Sequence, residues 1–146
     1  MKVAILFPHK VKNEAFRTSA EQYLRIAGRF VPVDLHVQPL ADRQGRLHPA
    51  VRSRLAGAEG ICLSEHGTAV DSDWFLARLE RARQAGQDLV FVIGDADGYP
   101  KELESLCRER IALSPLTLPH ELALVILAEQ LWRAAARAAK HPYHRG

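Results

Sequence analysis

Long apolar runs are missing from this sequence, and their absence excludes a helix that crosses a membrane. Hydrophobic residues make up 47% of the chain, yet no run reaches the roughly 18 consecutive apolar residues that a spanning helix needs. Met1 to Phe7 enters an apolar strand pattern directly, without the long apolar region or small-residue cleavage site of a signal peptide. We therefore expect a cytoplasmic protein without a membrane partner.

Cysteine is scarce, and no charge is in large excess. Cys62 and Cys107 are the only cysteines. Their separation does not match a metal-binding spacing, so we expect buried, reduced thiols and no metal site. The formal net charge is +3, a mild excess that permits an RNA partner without requiring one.

Several motifs of nucleotide binding and covalent catalysis are absent as well. The sequence contains neither G-x-G-x-x-G nor G-x-x-x-x-G-K-[ST], so a dinucleotide or phosphate-loop site has little support. The acidic stretch at 94–98 (GDADG) lacks the twelve-residue spacing and terminal Glu of a calcium loop. No Ser-His-Asp or Cys-His arrangement indicates a covalent nucleophile.

What is present is an alternation of strand and helix patterns over 146 residues, a length typical of one domain. The stretches 2–7 and 88–93 are nearly continuous apolar runs, typical of strands covered on both faces. Pro32 suggests an early or edge position for the strand at 31–37. No linker or repeat is visible, so we predict a single α/β domain with a parallel sheet. The other predicted elements are strands at 60–64 and 111–113, a polar turn at 65–67, and helices at 14–26, 51–58, 71–85, 100–109 and 119–140.

Two loops at the ends of predicted strands form a candidate ligand site. Gly94–Gly98 follows the strand at 88–93, and Ser114–Pro119 follows the strand at 111–113. Glycine allows close approach of backbone to a ligand, and the carboxyl ends of parallel strands collect nucleotide-like ligands. If the two strands are neighbours, the loops face one site. The alternative is a tight turn and an ordinary connection into the last helix.

The last predicted helix is apolar nearly all round in its first half. This pattern indicates burial against the sheet on one side and against a second subunit on another. Arg133, Arg137 and Lys140 recur at spacings of four and three residues, so they share one face. The chain ends in HPYHRG, where an aromatic residue among cations can stack on a base and pair with phosphate. A solvated basic tail is the alternative. The apolar positions are Leu122, Leu124, Val125, Ile126, Leu127, Leu131 and Trp132.

These C-terminal motifs resemble those of a known family. LSPLTLPH (113–120), the helix with EQLWRA (129–134) and the terminal HPYHR (141–145) are closely similar to a group of bacterial SPOUT-superfamily methyltransferases. That group is the ribosomal RNA large subunit methyltransferase H family, which modifies a pseudouridine of 23S ribosomal RNA. Looser matches are Lys10-x-Lys12 after the first strand, the helix around Tyr23, the Leu63 strand with Gly67, and FVIG at 91–94.

The resemblance implies an α/β SPOUT fold with a C-terminal trefoil knot, in a homodimer. One domain would cover 1–146, with the knot and the donor site within about 88–146. The methyl donor would be S-adenosylmethionine. The donor site would be formed by Leu63, Gly94, Asp95, Ser114, Pro115, Leu116, Thr117, Leu118 and Pro119.

The resemblance also implies a reaction and an RNA surface. The reaction would be direct methyl transfer to N3 of a pseudouridine in 23S ribosomal RNA, on the ribosome. Arg145 would hold phosphate or base, Tyr143 would stack or donate a hydrogen bond, and His144 would relay a proton. RNA would also contact Arg133, Arg137, Lys140 and His141.

Asp95 departs from the family pattern and keeps two alternatives open. The family has a second glycine at this position of the donor loop, where backbone approaches the donor. A carboxylate there can pair with a cationic donor or obstruct the pocket. One alternative is therefore a SPOUT-fold protein that binds RNA or ribosomes without transferring methyl groups. The other is a SPOUT methyltransferase that acts on a different RNA. Tyr99, at the expected helix cap, is a milder departure, and we assign His120 a structural role.

Overall fold

A computed structural model describes residues 1–95 and 98–140 of the chain. The fold is a five-stranded, wholly parallel sheet with the strand order β2-β1-β4-β3-β5, which confirms the predicted α/β class. The strands are β1 (Val3–Phe7), β2 (Val33–Val37), β3 (Ala58–Ala69), β4 (Asp88–Ile93) and β5 (Glu109–Ala112), and the helices are α1 (Glu14–Ala27), α2 (Pro49–Leu55), α3 (Ser72–Ala85), α4 (Leu103–Leu106) and α5 (His120–Ala138).

The centre of the sheet is formed by the two most apolar runs of the sequence. β1 pairs with β4, and every residue of β4 after Asp88 is buried. β2 lies at one edge of the sheet. The preceding Pro32 has no backbone N–H to donate, and at an edge this leaves no hydrogen bond missing inside the sheet. Phe91 and Ile5 are among the largest fully buried side chains of the core.

The helix ends follow local capping chemistry. Asn13 Oδ1 accepts a hydrogen bond from Phe16 N at 3.0 Å and starts α1, and Asp71 Oδ1 accepts one from Trp74 N at 2.9 Å and starts α3. Gly86 ends α3 in the left-handed conformation, with φ of 64°. The predicted range of this helix is therefore confirmed.

Helix α5 packs against α1 and α3. Leu124, Leu127 and Leu131 are fully buried and join the core residues of the sheet. Leu122 and Ile126, four residues apart and therefore on one side of the helix, remain partly exposed. The fold thus buries only part of the apolar surface of α5. Among the described residues, no helix is long and apolar enough to span a membrane.

The predicted polar turn at 65–67 is wrong, because β3 continues through it to Ala69. Turn chemistry is present, since Ser64 Oγ accepts a hydrogen bond from His66 N at 3.2 Å. However, β5 resumes pairing at Thr68 after a register shift that begins at Leu63, so the residues between form a bulge inside a strand. At Gly67 a Cβ would lie 2.7 Å from the backbone of β5, so only glycine permits this approach.

The predictions for the segment at 100–113 also need correction. Helix α4 spans only Leu103–Leu106 instead of 100–109, and β5 begins at Glu109 instead of Ile111. The strand starts at Glu109 because this residue already pairs with Ile61 of β3, and its side chain also pairs with the buried Arg78 of α3, with Nη1 to Oε1 at 2.5 Å. In addition, β3 lies between β4 and β5, so the two loop-bearing strands are not neighbours.

Candidate functional site

A cavity of about 330 Å³ opens at the carboxyl ends of β3, β4 and β5. Because β3 lies between the other two strands, its Leu63 is placed between the loops that follow β4 and β5. The structure thus brings together three segments that are far apart in sequence. Of the predicted donor-site residues, Leu63, Gly94, Asp95, Ser114, Leu116, Thr117 and Leu118 line the cavity, whereas Pro115 and Pro119 do not.

The loop after β5 is held by its own hydroxyl groups. Ser114 Oγ accepts a hydrogen bond from Leu116 N at 2.9 Å. Thr117 Oγ1 donates to Glu65 Oε2 at 2.9 Å, which ties the loop to the bulge of β3. Leu116 is 68% exposed, an unusual position for a leucine that lines a cavity. An apolar ligand group in the cavity could cover it.

Tyr99 is the residue that sequence reasoning did not place in the site. Its phenol oxygen lies 2.5 Å from Leu63 O, 2.9 Å from Val92 O and 3.0 Å from Gly94 N. The hydroxyl has one proton to donate to the carbonyls, and its oxygen accepts from the Gly94 amide. Burial raises the pKa of Tyr99 far above its usual range, so the hydroxyl keeps its proton. Tyr99 therefore links β3, at the residue where its bulge begins, to the carboxyl end of β4.

The Tyr99 ring packs directly against Gly94, where a larger residue would crowd it. A Cβ at Gly94 would lie 3.0 Å and 3.1 Å from two atoms of the Tyr99 ring, a closer approach than ordinary packing tolerates. The sequence signal was an aromatic residue placed directly after the glycine-rich turn. Its interpretation as a helix-cap residue was wrong, because α4 begins only at Leu103.

Two carboxylate groups stand on the wall of the cavity. Asp95 belongs to the turn that follows β4, which is closed by a hydrogen bond from Gly98 N to Asp95 O at 3.0 Å. Gly98 has a φ of 83°, which favours glycine. Glu65 lines the opposite wall, and its Oε1 lies 3.5 Å from Nε2 of His66. Glu65 and His66 were missed because their segment was predicted to be a turn outside the sheet.

The side chain of Glu121 anchors the start of α5. Glu121 accepts hydrogen bonds from Lys12 N at 2.8 Å and Asn13 N at 2.9 Å, so it joins α5 to the loop before α1. These backbone hydrogen bonds lower the pKa of Glu121 below its usual range. His120, at the first position of α5, lines the cavity.

The predicted RNA-binding cations lie away from this cavity. Arg133 pairs with Glu129 at 2.7 Å, one helical turn earlier, and Arg137 pairs with Asp73 of α3 at 2.5 Å. Lys140 is exposed beyond the end of α5. The remaining predicted residues of the tail, which are His141, Tyr143, His144 and Arg145, lie outside the described residues.

Within residues 1–95 and 98–140, the structure offers no cluster of three or more side chains suited to hold a metal ion. Cys62 and Cys107 are buried free thiols, as predicted. Their thiols hydrogen-bond to each other, and this contact together with burial raises the pKa of Cys62. The lining of the site therefore combines backbone, apolar side chains, hydroxyl groups, two carboxylates and the imidazoles of His66 and His120.

Comparison with known proteins agrees with this arrangement. A family model described as a predicted SPOUT methyltransferase matches residues 1–144. The ribosomal RNA large subunit methyltransferase H of Solibacter usitatus is 34% identical over 146 residues, which cover 99% of this chain and 100% of that protein. Proteins of the same name from Sorangium cellulosum and Bordetella petrii are 33% and 43% identical, over 98% and 74% of this chain and 99% and 67% of their own lengths. The chain therefore belongs to the SPOUT methyltransferase family, in its ribosomal RNA large subunit methyltransferase H group.

Proposed function

We propose that this protein transfers a methyl group from S-adenosylmethionine to N3 of a pseudouridine in 23S ribosomal RNA, on the assembled ribosome in the cytoplasm. The observation that carries the proposal is the cavity itself. Residues of three segments that are distant in sequence meet around one space of about 330 Å³. The names of the relatives support ribosomal RNA as the substrate.

The residues of the cavity fit this donor. Leu63, Leu116 and Leu118 offer apolar surface for the faces of an adenine ring. Bound S-adenosylmethionine would supply a methyl group on a positively charged sulfur. Asp95 and Glu65 place negative charge on the walls, which favours a ligand that carries cationic groups.

Tyr99 limits which backbone groups can contact the donor. Its hydroxyl accepts a hydrogen bond from Gly94 N and donates one to the nearer carbonyl, Leu63 O, so these groups are not available to the donor. We therefore expect the loop after β5, from Ser114 to Leu118, to supply the backbone hydrogen bonds that read the adenine edge. Tyr99 instead fixes the distance between Leu63 and the end of β4, which leads to Asp95.

Direct transfer to a ring nitrogen needs orientation and removal of one proton. We assign the proton relay to His144, the phosphate or base contact to Arg145, and stacking to Tyr143. In the homodimer, which would be built over a C-terminal trefoil knot in a single domain, these tail residues would reach the donor site of the other subunit. The partly exposed Leu122 and Ile126 supply apolar surface for the contact between subunits.

The first experiment is calorimetric titration of S-adenosylmethionine into the wild type and two variants, Asp95→Gly and Asp95→Asn. Binding by the wild type, followed by methylation of ribosomes from a strain without this gene, would support the proposal. Mass spectrometry of digested 23S ribosomal RNA locates the methyl group. Failure of all three proteins to bind the donor would refute it. The Asn variant separates the effect of charge from that of side-chain size.

A second candidate function rests on Asp95, whose carboxylate stands on the wall of the donor cavity. If the wild type binds ribosomes but not the donor, and Asp95→Gly restores donor binding, the protein is a ribosome-binding relative without methyl transfer. If the wild type binds the donor but methylates a different RNA, the mapping experiment identifies that substrate instead.

A further inference from the structure

A second cleft, of about 460 Å³, lies beside the donor cavity. We name it the basic cleft and define it by His66, Gly67, Thr68, Glu104, Arg108 and Arg110, which line it. His66 also lines the donor cavity, so the two spaces share a wall. The two spaces therefore adjoin at His66.

The shared wall is the bulge of β3. Between Leu63 and Thr68 the strand leaves its register with β5 and then returns to it. Gly67 brings the bulge directly onto the backbone of Arg110 and Ile111, at a distance that no side chain would allow. The bulge thus separates the two spaces by the width of one strand, with His66 between them.

The charge of the basic cleft comes from Arg110 on the edge strand β5 and from Arg108, the residue just before that strand. Arg108 and Arg110 flank Glu109, and because side chains alternate along an extended chain, they face away from it. Glu109 points to the buried Arg78 on the other side of the sheet. β5 is the last strand of the sheet, so Arg108 and Arg110 are exposed to solvent.

The two arginines differ in what holds them. Arg110 Nη2 lies 2.9 Å from Glu104 Oε1, in an ion pair that is exposed on both sides. The side chain of Arg108 makes no ion pair or hydrogen bond with any residue of the described ranges 1–95 and 98–140. The cleft therefore holds one free guanidinium group, and a second one that a surface carboxylate restrains only weakly.

We propose that the basic cleft binds a phosphodiester group of the substrate RNA, next to the nucleotide that receives the methyl group. This inference rests on the proposed function. Guanidinium groups form paired hydrogen bonds with phosphate oxygens, and the Thr68 hydroxyl adds an uncharged donor. Phosphate contacts carry no sequence information but set the register of a bound strand. The cleft would therefore position the target base at the donor cavity.

Glu104 allows a test in which the expected change in RNA binding is opposite to that expected for the arginine variants. A phosphate that reaches Arg110 must compete with the Glu104 carboxylate, which also repels it. Loss of the arginine charges should weaken RNA binding, whereas loss of the Glu104 charge should strengthen it. A general disturbance of the fold would weaken binding in both cases.

The experiment measures methyl transfer to ribosomes from a strain without this gene, as a function of ribosome and salt concentration. The full-length variants are Arg108→Gln, Arg110→Gln, the double variant and Glu104→Gln. The control is Arg52→Gln, which removes an exposed charge from α2. Donor affinity is measured by calorimetry in each protein.

We expect the double variant to raise KM for ribosomes by about tenfold or more, with donor affinity unchanged. The slope of log KM against the logarithm of the salt concentration should fall by about one, because the contact with one phosphate is lost. Glu104→Gln should lower KM, and Arg52→Gln should leave it unchanged. A KM of the double variant within twofold of the wild type, or an equal rise in Arg52→Gln, would overturn the proposal.

The two proposals fail in different ways. If the wild type transfers no methyl group, the proposed function fails, and the basic cleft is then tested by sedimentation of each variant with ribosomes. Weaker ribosome binding by the double variant and stronger binding by Glu104→Gln would retain the cleft as an RNA site. Equal binding by all variants, or none by the wild type, would reject it.

Discussion

Replacement of Tyr99 by phenylalanine removes one oxygen atom that joins the start of the bulge in β3 to the end of β4. That oxygen accepts from Gly94 N at 3.0 Å and donates to Leu63 O, at 2.5 Å, or to Val92 O, at 2.9 Å. The variant therefore loses two hydrogen bonds at a time and leaves buried backbone groups without this partner. Each such loss costs about 1–1.5 kcal/mol. We expect the free energy of unfolding to fall by about 2–3 kcal/mol in total.

Urea denaturation at one fixed protein concentration measures this change, because an oligomer's apparent stability depends on concentration. In a chain of this length the same loss lowers Tm by about 5–10 °C. The matched control is Tyr23→Phe. The centroid of the Tyr23 ring lies 5.3 Å from that of Trp132, and among the described residues the Tyr23 hydroxyl makes no hydrogen bond. We expect that control to stay within about 0.5 kcal/mol of the wild type.

The same substitution should weaken donor binding, because the start of the bulge in β3 and the end of β4 would no longer be held at a fixed separation. Calorimetry with S-adenosylmethionine, run well below the lowered Tm, measures this effect. A Tyr99→Phe protein that matches Tyr23→Phe in stability would refute the account of Tyr99 as a link between the strands. Unchanged donor affinity with the expected loss of stability would limit Tyr99 to a structural role.

Further predictions concern the donor loop, the anchor of α5, the buried arginine and the subunit contact. Gly94→Ala should destabilise the wild type by about 1–3 kcal/mol and should cost measurably less in a Tyr99→Leu background, as a double-mutant cycle in urea would show. The lowered pKa of Glu121 means that its hydrogen bonds stabilise the fold above the ordinary glutamate pKa, and this stability is lost as the pH falls through the folded value. The stability difference between wild type and Glu121→Gln should therefore be largest near pH 7 and shrink below about pH 4, in urea titrations at each pH. Arg78→Met should lower the free energy of unfolding by about 1–2 kcal/mol, because Glu59 and Glu109 lose a buried partner but stay partly exposed and close to Arg81, and an unchanged free energy of unfolding would contradict this reading. In the homodimer that we propose, Ile126 contributes to the contact between subunits, so Ile126→Glu should shift the protein from dimer to monomer in analytical ultracentrifugation, and an unchanged dimer would place the contact elsewhere.

The sequence by itself determined the elements whose signals are local. The continuous apolar run at 88–93 became β4 with the predicted bounds, because a β-branched, apolar stretch has no better conformation than a buried strand. The cap at Asp71 and the glycine at Gly86 set the ends of α3. The start of α5 followed from Pro119, which suits the beginning of a helix. Most of the residues predicted for the donor site also line one cavity, because the LSPLTLPH motif is long and specific.

Only the tertiary structure decided how these pieces meet. The placement of β3 between β4 and β5 depends on pairing between segments far apart in the chain, and no local pattern specifies it. That pairing extends β3 through a segment whose residues favour a turn. It also places Tyr99 over Gly94 and creates the basic cleft beside the donor cavity. Local propensity is worth tenths of a kcal/mol per residue, whereas burial of an apolar side chain is worth about 1.5–3 kcal/mol. Where the two conflict, as at 65–67 and 107–110, long-range burial and pairing determine the structure.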